Sequence, residues 1–142
     1  MGSWRDNMSQ NEHKFFGNHV FGEMYGIKFQ QLNDLKYLET LLSQGIEESG
    51  ATLCSIQSKV FEPSGITILA LLSESHTSIH TYPDFGALFF DAFTCGDQCN
   101  PEKIAYNLIK ALRPSKHNIQ IIKRGEKLLS GKKIPLKKIE TA

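Results

Sequence analysis

Two stretches of the chain carry their apolar residues on a single helical face, and each such face needs another surface to cover it. In LNDLKYLETLLSQGIEES, Leu35, Leu38, Leu41, Leu42 and Ile46 recur at spacings of three and four, with Asn33 or Asp34 placed to cap the start and Gly50 to end it. The second stretch opens on Asn100-Pro101-Glu102, an Asn cap, a proline at the first helical position and an acid in the first turn. It should run to about Leu112, before Pro114 stops it. Most of what remains is strand-like: HVFGEMYGIKF (19–29), residues 52–61, ITILALL (66–72), ALFFDAFT (87–94) and the alternating, edge-type NIQIIKR (118–124). Pro63-Ser64-Gly65 supplies a turn between the second and third of these. The expected order is β-α-β-β-β-α-β. An α+β fold follows, a two-layer α/β sandwich whose antiparallel sheet carries both helices on one face.

A chain of 142 residues suits one domain. The polar opening, residues 1–16, reads as a flexible N-terminal arm, and residues 17–125 as the folded domain. Residues 126–142 form a basic tail in which Lys127, Lys132, Lys133, Lys137 and Lys138 cluster. Lys and Arg number 16 against 15 Asp and Glu, so no broad field favours nucleic acid or a membrane surface as partner. The longest apolar run, Ile66 to Leu72, falls far short of the roughly 20 residues that span a bilayer. Without an apolar signal core at the start, the expected location is the cytoplasm. Three cysteines, Cys54, Cys95 and Cys99, make an odd set that argues against a disulfide framework and leaves room for a working thiol.

Between the third and fourth expected strands lies SESHTSIHTYPDFG, too polar for a simple turn. Ser75, His76, Thr77, Ser78 and His80 fall within six residues, a concentration that suits a nucleophile with an imidazole base. A loop whose hydroxyls satisfy local backbone groups would look the same. A metal is not expected, because His76 and His80 would share a face on a helix and their neighbours favour strand or loop.

The longer pattern narrows the choice. Glu74-Ser75-His76 is followed by Ile79-His80-Thr81, Pro83, Asp91 and then Phe93-Thr94-Cys95-Gly96-Asp97. In content, order and separation this resembles the prokaryotic S-adenosylmethionine decarboxylase proenzymes, which are pyruvoyl-dependent. His80 stands five residues and Cys95 twenty residues after Ser75, as in that family. The resemblance runs from about Gly17 to Arg124 and takes in GNHVFGEMYG, the PSG turn and IKRG.

What the resemblance implies is self-processing. The Ser75 hydroxyl would attack the Glu74 carbonyl, convert the peptide bond to an ester and leave, after elimination and hydrolysis, a pyruvoyl group on residue 75. The chain would part into 1–74 and 75–142. The ketone would form a Schiff base with the substrate amine and accept the electron pair left by carbon dioxide, work done elsewhere by pyridoxal phosphate. No glycine-rich phosphate loop is present, which fits a prosthetic group made from the chain itself.

By the same resemblance His80 is the base of the elimination and Cys95 returns a proton to the substrate carbon. Unaided by it, His80 reads equally as a structural histidine and Cys95 as a small buried residue. Thr67 keeps the hydroxyl of a family processing serine and would help polarise the scissile carbonyl, while Phe61 aligns with the aromatic that stacks on adenine, or else is core. The implied substrate is S-adenosylmethionine, the product an aminopropyl donor for polyamine (spermidine) synthesis, and the assembly a homo-oligomer, a dimer of processed protomers with residues of two subunits near each site.

Two departures bear on the substrate. The family's Trp-Pro-Glu is Tyr82-Pro83-Asp84 here, and Asp84, one methylene shorter, stands where a glutamate binds ribose hydroxyls. Asn18 occupies a position where many relatives carry lysine. A pyruvoyl-dependent arginine or ornithine decarboxylase is therefore the alternative, and a non-catalytic regulatory relative the second.

Overall fold

The computed structural model describes residues 15–125. The basic tail 126–142, and the arm 1–16 up to residue 14, lie outside the described residues. In chain order the elements are β1 (Gly17–Tyr25), α1 (Phe29–Leu32), α2 (Leu35–Ser49), β2 (Leu53–Val60), β3 (Ile66–Leu72), β4 (Ser75–Tyr82), a 3-10 turn (Pro83–Phe85), β5 (Ala87–Cys95), α3 (Glu102–Leu112) and β6 (Lys116–Arg124). The strands form one six-stranded sheet in the order β2-β3-β4-β5-β1-β6, antiparallel throughout. β6 lies at an edge, as its sequence suggested.

The two-layer architecture is the expected one, but the expected element order needs correction by one strand. SHTSIHTY is not a loop between strands; it is β4, near the centre of the sheet. Its core-facing residues are Thr77, Ile79 and Thr81, and two hydroxyls among three disguise the alternation that marks a half-buried strand. Both hydroxyls are satisfied. Thr77 donates to the Asp91 carbonyl at 2.7 Å; Thr81 donates to the Leu32 carbonyl at 2.7 Å and accepts from the Ile66 N–H at 2.9 Å. β1 also stops four residues early, at Tyr25, because Gly26 turns the chain at φ 76°.

The helix ends follow local chemistry. Asp34 accepts the Tyr37 N–H at 3.1 Å at the start of α2, and Gly50 closes it in the left-handed conformation at φ 86°. Asn100 accepts the Glu102 N–H at 3.1 Å at the start of α3. The two helices lie against each other where Gly45 lets α2 approach Ile104, and Asn107 donates to the Leu41 carbonyl at 2.7 Å. Leu38, Leu42 and Ile46 of α2 and Ile104 and Leu108 of α3 then share one core with Val20, Met24, Ile68, Ile79 and Phe90 of the sheet.

All of those sheet residues point to one side, so the opposite side carries what alternates with them. Leu69, Leu71 and Phe89 on that side are 50%, 58% and 41% exposed, and none of the described elements covers them. Truncating Leu42, which is fully buried in the helix layer, should remove about 2–5 kcal/mol of stability. Urea unfolding of Leu42→Ala followed by circular dichroism checks this; a midpoint equal to that of the parent would contradict the packing described.

Candidate active site

A two-residue link, Ser73-Glu74, joins β3 to β4, and the peptide bond from Glu74 to Ser75 is pinned on both sides. The Glu74 carboxylate accepts the Thr52 N–H at 3.0 Å, and the Glu74 carbonyl oxygen accepts the Cys95 N–H at 3.0 Å. A backbone donor aimed at this carbonyl polarises it and would stabilise negative charge growing on its oxygen. Ser75 itself has φ 154°, a conformation rarely taken by residues other than glycine and costing of the order of 1–3 kcal/mol. Its hydroxyl lies 3.5 Å from Nδ1 of His76.

Asp91, in the middle of β5, organises the surrounding face. Its Oδ2 meets Nε2 of His19 at 3.0 Å and Nε2 of His76 at 3.3 Å, and its Oδ1 accepts a very short hydrogen bond from Ser78. Burial alone would raise the Asp91 pKa, but the hydrogen bonds from Ser78 and His19 and the charge and hydrogen bond of His76 outweigh it, so the net shift is downward. Arg124 of β6 lies 3.5 Å from Nδ1 of His19 and over the Phe93 ring, closing the cluster at the sheet edge. The ligand-type atoms of His19, His76 and Asp91 all lie within 4.8 Å of one another, a spacing a metal ion could use. A guanidinium only donates, however, so its approach to Nδ1 leaves the proton of neutral His19 on Nε2, directed at Asp91 rather than at a cation.

A second group stands at the other end of β4. Thr67 Oγ1 and His80 Nδ1 are 3.1 Å apart, the Tyr82 and Phe89 rings are 4.9 Å apart, and Ser64 donates to Asp84 at 3.3 Å. Phe61, half exposed, begins the turn that its N–H closes onto the Gly65 carbonyl at 2.8 Å. The register sets the two groups apart. Ser75 pairs with Leu72 whereas His80 pairs with Thr67, five positions along the strand, or about 16 Å. Ser75, Glu74 and Cys95 therefore cluster together, and Thr67, His80, Tyr82 and Asp84 cluster separately, with Phe61 at the adjoining turn.

The cysteines differ in setting. Cys54 is exposed, Cys95 partly so, and Cys99 buried; burial, then the charges of Glu74 and Cys95, push the Cys99 thiol up and make it a poor proton carrier. Thr94 faces Ser75 across the β4–β5 ladder, and its hydroxyl is buried without a hydrogen-bond partner among the described residues. The sequence reading gave no role to His19, Asp91 or Thr94. One signal was available: Asp91 is the single charge within ALFFDAFT, where burial demands a partner.

The fold and site thus define an α+β sandwich with a serine at φ 154° beside a hydrogen-bonded carbonyl, next to a carboxylate that holds two imidazoles. Consistent with that class, residues 18–125 match the family model described as S-adenosylmethionine decarboxylase, and the chain belongs to this family. It is 41% identical over 114 residues to the S-adenosylmethionine decarboxylase proenzyme of Brevibacillus brevis, covering 80% of this chain and 86% of that one. To the proenzyme of Methanococcus maripaludis it is 40% identical over 112 residues, covering 79% and 92%. The crystal structure of the adenosylmethionine decarboxylase from Aquifex aeolicus superposes with a TM-score of 0.74 at 28% identity, over 84% of this chain and 99% of that one.

The Asp91 shift has a sign that can be measured. A carboxylate whose pKa is lowered on folding stabilises the fold above its unfolded value, near 3.8, and that contribution is lost as pH falls through the lower folded value. Asp91→Asn should therefore be less stable than the parent near neutral pH, with the gap narrowing as pH falls below that range. Urea midpoints taken from pH 7 to about pH 3 decide it; a gap independent of pH would count against the network.

Proposed function

We propose that the chain is made as a precursor, cuts itself between Glu74 and Ser75 into 1–74 and 75–142, and decarboxylates S-adenosylmethionine by means of a pyruvoyl group derived from Ser75. The observation that carries this reading is the Cys95 N–H held on the carbonyl that Ser75 would attack. The residues suit a ketone at position 75: the unpartnered, buried Thr94 hydroxyl across the ladder is a free donor for a new carbonyl oxygen. When present, such a group supplies the electron sink that allows a carboxylate to leave.

The remaining chemistry belongs to side chains. His80, its Nδ1 engaged by Thr67, removes the proton that starts elimination through Nε2, and Cys95 delivers a proton from its thiol to the substrate carbon after carbon dioxide departs. Tyr82, Phe61 and Asp84 form the substrate-binding end, the rings for a purine and sulfonium and the carboxylate for ribose hydroxyls. The product is the aminopropyl donor for spermidine synthesis. We place the protein in the cytoplasm, where three free cysteines stay reduced, and assign it no nucleic-acid or membrane partner.

Denaturing mass spectrometry should show two fragments split before Ser75, the second blocked at its N-terminus, and Ser75→Ala should remain whole and release no carbon dioxide. Release from S-adenosylmethionine but not from arginine or ornithine is the expected substrate profile. A whole, unmodified parent chain would overturn the reading.

The separation of about 16 Å between Ser75 and His80 within one chain is too great for proton transfer. Two copies packed through their open sheet faces about a two-fold axis would bring His80 of one to Ser75 of the other, covering Leu69, Leu71 and Phe89. Hence Ser75→Ala and His80→Ala chains, each uncleaved alone, should complement when co-expressed, with only the His80→Ala chain cut. Lack of cutting in isolated mixed dimers would refute shared sites.

A further inference from the structure

The reaction above gives no task to any member of the network around Asp91, yet its outermost member, His76, reaches the nucleophile Ser75. We propose that His76, held by Asp91, is the base that takes the Ser75 hydroxyl proton in the first step of self-cleavage. This rests on the self-cleaving reading and assigns that site a second imidazole, separate from His80.

The hydrogen-bond polarity allows one consistent arrangement. Asp91 is ionised and accepts only, so every group on it must donate: Ser78 through its hydroxyl, His19 and His76 through Nε2–H. Neutral His76 then carries its proton on Nε2, and Nδ1, 3.5 Å from Ser75 Oγ, holds the lone pair. This is the order of a nucleophile, an imidazole and an orienting carboxylate that activates serine elsewhere. Catalytic contacts of this length commonly tighten as the reaction proceeds. Adjacent strand residues normally point to opposite faces, so a contact between side chains 75 and 76 requires the backbone departure that Ser75 makes at φ 154°. The strain and the contact are thus two aspects of one geometry.

Ring stacking fixes the imidazole further. His76 lies against the His19 ring with centroids 6.2 Å apart and against Phe93 at 6.3 Å, and the Arg124 guanidinium lies over the Phe93 ring at 5.1 Å. The groups facing His76 from neighbouring strands are therefore Asp91, His19 and, beyond them, the Arg124 cation.

The step balances without any co-reactant. As Ser75 Oγ bonds to the Glu74 carbonyl carbon, its proton passes to His76 Nδ1, and the carbonyl oxygen becomes an anion under the Cys95 N–H. When the carbon–nitrogen bond breaks, the same proton passes from Nδ1 to the departing Ser75 nitrogen, leaving an ester and a free amine. His76 is returned to its starting form.

The test uses the full chain, freshly translated, with cleavage followed on denaturing gels. The parent should cut itself at a rate that rises with pH as an imidazole deprotonates; His76→Gln should be slower by roughly 100-fold or more, with that rise lost. Hydroxylamine, which splits esters, should release no extra fragment from His76→Gln, because the block precedes the ester. Asp91→Asn, a positioning change that keeps His76, should slow the same step less and move the pH profile, and it serves as the second variant if His76→Gln fails to fold. A His76→Gln chain that cuts at the parental rate, or one that hydroxylamine readily splits, overturns the proposal while leaving self-cleavage intact. A parent that never cuts overturns the underlying reading instead.

Discussion

The sheet can be covered by helices on one side only, and the strict two-residue alternation of its strands turns that into a division of labour. Along β5, Leu88, Phe90, Ala92 and Thr94 are buried against the helix layer, which leaves Phe89, Asp91, Phe93 and Cys95 for the other face. β4 repeats this with Thr77, Ile79 and Thr81 inward and His76, Ser78 and His80 outward. A slip of one residue in either strand would bury Asp91 or two imidazoles beneath α2 and α3 and expose isoleucine and phenylalanine in their place. The apolar core therefore fixes the register, and the register fixes which polar groups meet across the ladder. Ser78 stands opposite Asp91 and His80 opposite Phe89 for that reason.

Much of this was legible beforehand, for reasons that differ from element to element. The two helices announce themselves because period, cap and stop agree, and Asp34, Gly50 and Asn100 act as their chemistry requires. β4 was hidden because threonine replaces aliphatic residues on its inner face, and a hydroxyl that finds a carbonyl in the core cannot be told by sequence from one that stays in water. The motif drew attention to Ser75, His80 and Cys95 as one unit. Only the pairing of β3 with β4 reveals that His80 lies far along the strand from Ser75, since five residues are near neighbours in sequence but not on an extended chain. His19 is a different case, brought to Asp91 by the pairing of β1 with β5 across 72 positions, a distance over which local pattern carries no information.

The open face would account for a site divided between the two ends of β4, as the proposed pairing of two copies requires. A sheet with one side left uncovered by the described elements exposes leucines and a phenylalanine beside histidines and a carboxylate, a mixture that the proposed second copy would both bury and complete. Burial by a partner would also dry the Asp91 network, strengthening each of its hydrogen bonds and sharpening the orientation of His76. Assembly and activation would then be coupled: a lone precursor has its carbonyl polarised and its serine strained but lacks an adjacent elimination base.

Such an arrangement bears on how a serine can be reactive once and then vanish. An enzyme that turns over must release its nucleophile in the state it found it, whereas the proposed reaction would consume Ser75, so strain at φ 154° would need to survive only until the peptide bond breaks. After the proposed cut, residue 75 would become a chain end, free to relax, and His76 would lose the hydroxyl that we propose it serves. The Cys95 N–H and the Thr94 hydroxyl would remain in place on the neighbouring strand, one beside a new carboxyl terminus at Glu74 and the other opposite residue 75. On the proposed reaction the β4–β5 ladder would thereby outlast the first step and form the rigid wall of the second, so that the same few residues could serve both maturation and turnover.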